Sequence, residues 1–227
     1  MAITTTIRKD LIELAVIANN AAPGTTLLAS MVAQSEAGKT LTQIAETLAA
    51  RSEFLATYPV QQTSTEFATE FLNNSLPEVA SSFITAGIPL VEAHINGGGS
   101  IGALIAICQD LLSTTVTTDA DLGTSVSNFN NKVTVAAYHT VTLELASESS
   151  SVLIGVTSTA GTVVTGKAAA DLVKIPATAA ATTYTLTASA TASYEGDSGQ
   201  SDLVFHLSLD KAAESSTIVN YASLTTG

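Results

Sequence analysis

The chain has 227 residues, 46 % of them hydrophobic and 12 % charged, with 20 acidic against 8 basic residues and a net charge of −12. That length and apolar content suit one or two folded domains with a sizeable core and exclude a disordered chain. No basic cluster exceeds the Arg8–Lys9 pair, which excludes a groove that tracks a nucleic-acid backbone, and the single Cys108 excludes a disulfide-stapled domain.

Helical signals fill the first three quarters. The apolar run Leu11–Ala18 follows Arg8 and Lys9 in the manner of a signal peptide, but it is short and broken by Glu13. Ile7, Leu11, Leu14 and Ile17 instead fall at helical spacing, which predicts an amphipathic helix over about Thr6–Asn19. Pro23 and Gly24 open a second helix to about Glu36, with Leu27, Leu28, Met31 and Val32 as its stripe. Thr40 and Gln43 form a capping box before a helix carrying Leu41, Ile44, Leu48 and Leu55. Thr63 and Glu66 form another, opening a helix through Asn73 with Phe67, Phe71 and Leu72 inward.

Pro77 and Pro89 each suit a first helical turn, so two short helices are expected, Pro77–Thr85 and Pro89–Ile95. The glycines at 97–99 end the second. Ser100 caps a helix whose Ile101, Leu104, Ile105, Cys108, Leu111 and Leu112 match the i, i+3, i+4, i+7 template. Ser127 is expected to cap a long segment, Phe129–Ala146, whose Val and Thr content leaves a strand as the alternative. A helix over Val163–Lys174 closes the series before Pro176. No run approaches the roughly 18 apolar residues of a membrane span.

After 176–182, a short linker of small residues, the period changes from 3.6 to 2. Thr183–Thr191 and Asp202–Leu209 alternate on either side of a polar loop, a hairpin signature. The expected fold class is therefore α + β in separate domains: a multi-helix bundle over 1–175, then a partial antiparallel β-sandwich over 183–227.

Chemistry-bearing motifs are few. Asn96, Gly97, Gly98 and Gly99 before a helix could cradle an anion, but the Lys of a phosphate loop and the spacing of a dinucleotide loop are missing, so a plain turn is expected. His94, His139 and His206 have no ligand neighbour at metal spacing. Cys108 lies on an apolar stripe and reads as an inert core thiol, and Asp119 with Asp121 as a solvated turn. A hydrolase would need His139 near a Ser and Glu144, and no enzyme is expected. Glu195, Asp197, Asp202 and Asp210 gather hard oxygen ligands around one loop, which fits either a calcium site or a solvated acidic hairpin.

The stretch YEGDSG at 194–199, followed by LVFHLSLDK at 203–211 and IVNY at 218–221, resembles the first half of a Calx-beta domain, a seven-stranded extracellular sandwich. The resemblance implies calcium, and Glu195, Asp197 and Asp210 of that carboxylate group are the candidate ligands. Where such domains commonly carry Asp-Gly, this chain has Thr226 and Gly227, which leaves Glu195 as the ligand best carried over. It also implies that half the sandwich is missing, so that strands with open edges need a partner.

Residues 1–175 are similar to the helical N-terminal domain of surface-layer and related type I secreted proteins of Gram-negative bacteria. The carrying stretches are RSEF at 51–54, TEFATEFL at 65–72, NFNNKVTVAAY at 128–138 and GVTSTAGTVVTGKA at 155–168. What this implies is an extracellular, non-enzymatic protein of the bacterial cell surface, anchored by binding lipopolysaccharide or another cell-surface polysaccharide and associating with itself. The alternative is an adhesin or carbohydrate-binding module directed at a foreign surface, although five tyrosines and no tryptophan disfavour a stacking sugar site.

Overall fold

The computed structural model describes residues 4–174 and the backbone of two later strands. Packing divides the chain into two compact units, Met1–Ile175 and Pro176–Gly227.

The first unit is helical, and its centre is α1 (Thr5–Asn19), capped by the Thr4 hydroxyl, which accepts from the Ile7 amide. The expected amphipathic helix is corrected here: every residue from Leu11 to Ala18 is buried, Glu13 among them. From Leu11 onward the helix is apolar nearly all round and must be surrounded, while its first turns keep Arg8 and Lys9 exposed. Around it pack α2 (Gly24–Glu36), α3 (Leu41–Ala49), α4 (Ser52–Thr57), α5 (Ser64–Ser75), α7 (Ile101–Thr114) and α8 (Gly123–Ala137).

Both capping boxes form, with Thr40 and Gln43 closing on each other at α3 and Thr63 and Glu66 at α5. The helix expected to run through Leu55 breaks at Ala50 and Arg51, and α4 restarts at Ser52. The break turns Phe54 inward, where it meets Tyr58 with ring centroids 4.6 Å apart. Tyr58 in turn packs on Phe67 and Phe71, and burial pushes its phenol up to about 12.

The two short helices expected at Pro77 and Pro89 are instead one, α6 (Ser81–Asn96), with Pro89 inside it. Pro89 is exposed, so its ring meets solvent where it would otherwise crowd a neighbour. Helix α8 begins earlier than Ser127, at Gly123, directly after a turn in which the Asp119 carboxylate accepts the Asp121 and Leu122 amides at 3.0 and 2.8 Å. The strand alternative for this segment is not adopted. From Tyr138 to Thr142 the helix widens to π geometry, and it ends on Glu144, whose φ is +55°. A 3-10 turn at Ser151–Leu153 precedes α9 (Gly161–Lys174).

At Gly24 the geometry demands a glycine. Gly24 has φ +65°, and a Cβ there would lie 2.5 Å from the carbonyl oxygens of Ala146 and Ser147. Its amide donates to the Thr140 hydroxyl at 3.2 Å, so the start of α2 is fastened to the π turn.

The expected β-sandwich is corrected. The later unit supplies a single antiparallel pair, β1 (Leu186–Ala190) with β2 (Phe205–Leu209), in register from Leu186 opposite Leu209 to Ala190 opposite Phe205. A sandwich requires two sheets packed face to face, and no second sheet exists among the described residues. Period-two alternation shows which segments can pair, but it does not report whether a second layer is present. The IVNY segment at 218–221 lies outside the described residues.

Candidate functional site

Among the described residues, a hollow with a charged rim and a volume of about 640 Å³ lies where α1, α8, the π turn and α9 meet. Its lining follows the helical period. Thr5, Arg8, Lys9 and Ile12 come from α1, and Asn130, Val133, Thr134 and Ala137 from α8. Both sets are spaced i, i+3, i+4, i+7, so each is a single helix face. The π turn extends the α8 face with Tyr138, Val141 and Thr142, and α9 adds Lys167.

The α8 face runs on into the π turn without a break. The Leu143 amide donates to the Tyr138 carbonyl at 2.9 Å, an i→i+5 bond. Tyr138, Val141 and Thr142 reach the hollow, while His139 and Thr140 are 0 % and 1 % exposed. A second hollow of about 430 Å³ shares Arg8 and Val141 with the first and is lined further by Thr25, Thr140 and Glu144. The two form a groove passing Arg8.

Three of the chain's eight basic residues, Arg8, Lys9 and Lys167, therefore stand on one groove of an acidic protein. Their states differ. Lys9 is held by Glu13, which is 0 % exposed and also accepts from Gln109 Nε2 at 2.6 Å. Lys167 lies 5.1 Å from the centroid of the Tyr138 ring, a cation–π contact that leaves the charge unneutralised. The Tyr138 hydroxyl donates to Asp171 at 2.9 Å, and this bond, with burial, holds the phenol above its ordinary range. Arg8 is exposed and makes no side-chain hydrogen bond or ion pair among the described residues. Such a groove can bind a ligand with hydroxyls, apolar C–H faces and negative charge.

The residues singled out from sequence fare differently. Glu195, Asp197, Asp202 and Asp210 lie outside the described residues. Cys108 is buried, which pushes its thiol up to about 12. The amides of Gly97, Gly98 and Gly99 donate to the carbonyls of Ala93, Ile95 and His94, so they finish α6 and leave no cradle for an anion. His94 Nε2 lies 2.9 Å from the Ser100 carbonyl oxygen. Neither ring nitrogen of His139 has a hydrogen-bond partner, so the arrangement of His139 with Ser and Glu144 does not form. Among the described residues no three His, Cys, Asp or Glu side chains converge as a metal site, and no helix is long and apolar enough to cross a membrane.

Sequence reading missed the groove itself. Arg8 and Lys167 are too far apart in the chain for any local motif to join them. Local pattern gave little sign of it, because Val133, Ala137 and Val141 on the α8 side of the groove read in sequence as that segment's apolar positions.

No family model, no curated protein and no solved structure matches this chain. The surface-layer and Calx-beta resemblances thus rest on the quoted residues alone.

Proposed function

We propose that this is a structural protein of the bacterial cell surface, whose helical unit anchors it by holding lipopolysaccharide or another cell-surface polysaccharide in the Arg8–Lys167 groove. The supporting observation is the placement of three cations, threonine hydroxyls and an apolar floor on one concave face of a chain with net charge −12. Polysaccharides present that mixture of hydroxyls, C–H faces and acidic substituents, and attraction confined to one face orients the protein on its support.

The test is co-sedimentation of the 227-residue chain with purified Gram-negative lipopolysaccharide at low ionic strength, where exposed charges are least screened. The chain is expected to pellet with the polysaccharide, and the Arg8→Glu, Lys167→Glu double variant to stay in solution. A wild-type chain that stays in solution would overturn the proposal. Repeating the run with calcium and then with chelator tests the remaining expectation: self-association that needs calcium supports a role for Glu195, Asp197 and Asp210.

A further inference from the structure

We infer that the groove recognises an acidic substituent on its saccharide, a phosphate or a carboxylate, and that Arg8 and Lys167 are the two residues that engage it. This rests on the reading of the groove as a saccharide site and adds what the site selects.

Lys9 is the first candidate to remove. Its ammonium is the cation of a carboxylate that is completely buried, and drawing it toward a ligand would leave Glu13 with only the Gln109 amide for company. An uncompensated buried charge is far costlier than any exposed contact it could release. Lys9 therefore stays with Glu13.

Arg8 is the opposite case. It is exposed, belongs to both hollows and has no partner among the described residues. A guanidinium presents a planar fork of donors that matches two oxygens of a phosphate or carboxylate at once. Lys167 is held only by a neutral ring face, so its charge remains available, while the bond from Tyr138 to Asp171 fixes the ring that positions it.

The carboxylates nearby decide where the acidic group sits. Asp171 accepts from the Tyr138 hydroxyl and lines neither hollow. Glu144 stands on the smaller hollow beside Thr25 and Thr140, so that end repels an anion. The larger hollow carries both available cations, which places the acidic group there and directs the neutral part of the sugar along Val141 toward the threonines. A volume of about 640 Å³ is much more than an inorganic phosphate fills, which favours a substituent on a larger molecule over the free ion.

The experiment is calorimetric titration of the full chain at low salt with core oligosaccharide released from lipopolysaccharide. Parallel arms use the same oligosaccharide after phosphate removal with hydrofluoric acid, and after reduction of its carboxyl groups. Inorganic phosphate alone serves as a fourth probe. Loss of the recognised group is expected to weaken binding about tenfold, the scale of one charge-assisted contact, and the arm in which it happens identifies phosphate or carboxylate. Arg8→Gln and Lys167→Gln should each abolish the difference between intact and stripped sugar. Both side chains lie at the surface, and circular dichroism checks that the variants fold. Equal binding of intact and stripped oligosaccharides by the wild type overturns this inference and leaves the anchoring role standing. Binding of inorganic phosphate as tight as that of the oligosaccharide also overturns it, and binding of no oligosaccharide at all removes both.

Discussion

Helices α1 and α6 are both rich in apolar residues, yet one is the axis of the fold and the other lies at its margin. Eight consecutive residues of α1 are buried, whereas α6 buries only Ile84 and Val91, has α5 as its main neighbour and leaves Leu90 73 % exposed. What separates them is the angular distribution of the apolar residues. Over Leu11–Ala18 of α1 they cover nearly every face, so no orientation except enclosure satisfies that stretch. In α6 the buried pair Ile84 and Val91 lies on one side, while Pro89 and Leu90 meet solvent.

The largest effects should follow from truncating the enclosed helix. Leu14 is 0 % exposed, and Leu14→Ala is expected to cost about 2–5 kcal/mol, the lost transfer energy plus that of the cavity left behind. Urea unfolding checks this, and a loss below about 1 kcal/mol would mean that α1 is not the rigid centre. Helix α7 closes on α3 beside it through Gly102, where a Cβ would lie 2.5 Å from the Glu46 backbone nitrogen. Backbone cannot swing aside as a side chain can, so Gly102→Ala is expected to destabilise by about 1–3 kcal/mol through overpacking. An unchanged midpoint would show that the two helices part freely.

A smaller, pH-dependent effect should appear at the π turn. His139 is 0 % exposed with both ring nitrogens unpartnered, and burial alone holds its pKa below the ordinary value. Its neutral form is therefore the folded form. The folded state binds the proton more weakly than the unfolded chain, so stability is full above about pH 6.5 and falls as pH drops below it, by at most about 1.4 kcal/mol per unit from this one group. His139→Leu should flatten that fall and, by removing an unpaired buried polar group, should not weaken the protein at neutral pH. If the two proteins lose stability in parallel between pH 6.5 and 5, the imidazole is not the titrating group.

Much of this architecture was legible locally. Thr40 with Gln43 and Thr63 with Glu66 announced the starts of α3 and α5, because a capping box is complete within four residues. The glycines at 97–99 announced an end for the same reason. What could not be read depended on partners remote in sequence. Pro89 looked like a helix start because local rules treat proline as a boundary, whereas the fold keeps the helix running and turns the ring to solvent. The π turn has no composition of its own and exists where Thr140 meets Gly24. The groove needs Arg8 and Lys167 together, and only the packing of α1, α8 and α9 supplies that. The alternation after residue 182 marked β1 and β2 within the stretches expected to be strands, but it carried no information about a second sheet.

The smallest effects belong to α6, and they decide whether its marginal position is real. Pro89 lacks the amide that would donate to the Thr85 carbonyl, and Pro89→Ala restores that bond, which favours the helix. The same substitution loosens the unfolded chain, which works against folding by about 0.4–1 kcal/mol. Because the ring faces solvent, no packing contact tips the balance, and the net change is expected to stay within about 1 kcal/mol of zero. Leu90→Ser beside it should change stability by no more than about 0.5 kcal/mol, as for a surface position without special features. A proline introduced in place of Ala15 in α1 should by contrast cost about 3 kcal/mol or more, since there the lost bond and the clash are both enclosed. If Pro89→Ala or Leu90→Ser instead cost as much as a core truncation, α6 would have to be covered by something in solution, and the exposed face would then be a contact surface for another copy of the chain. Light scattering of the two variants, read beside their unfolding midpoints, separates that case from a free-standing helix: a covered face loses assembly and stability together, and a free one loses neither.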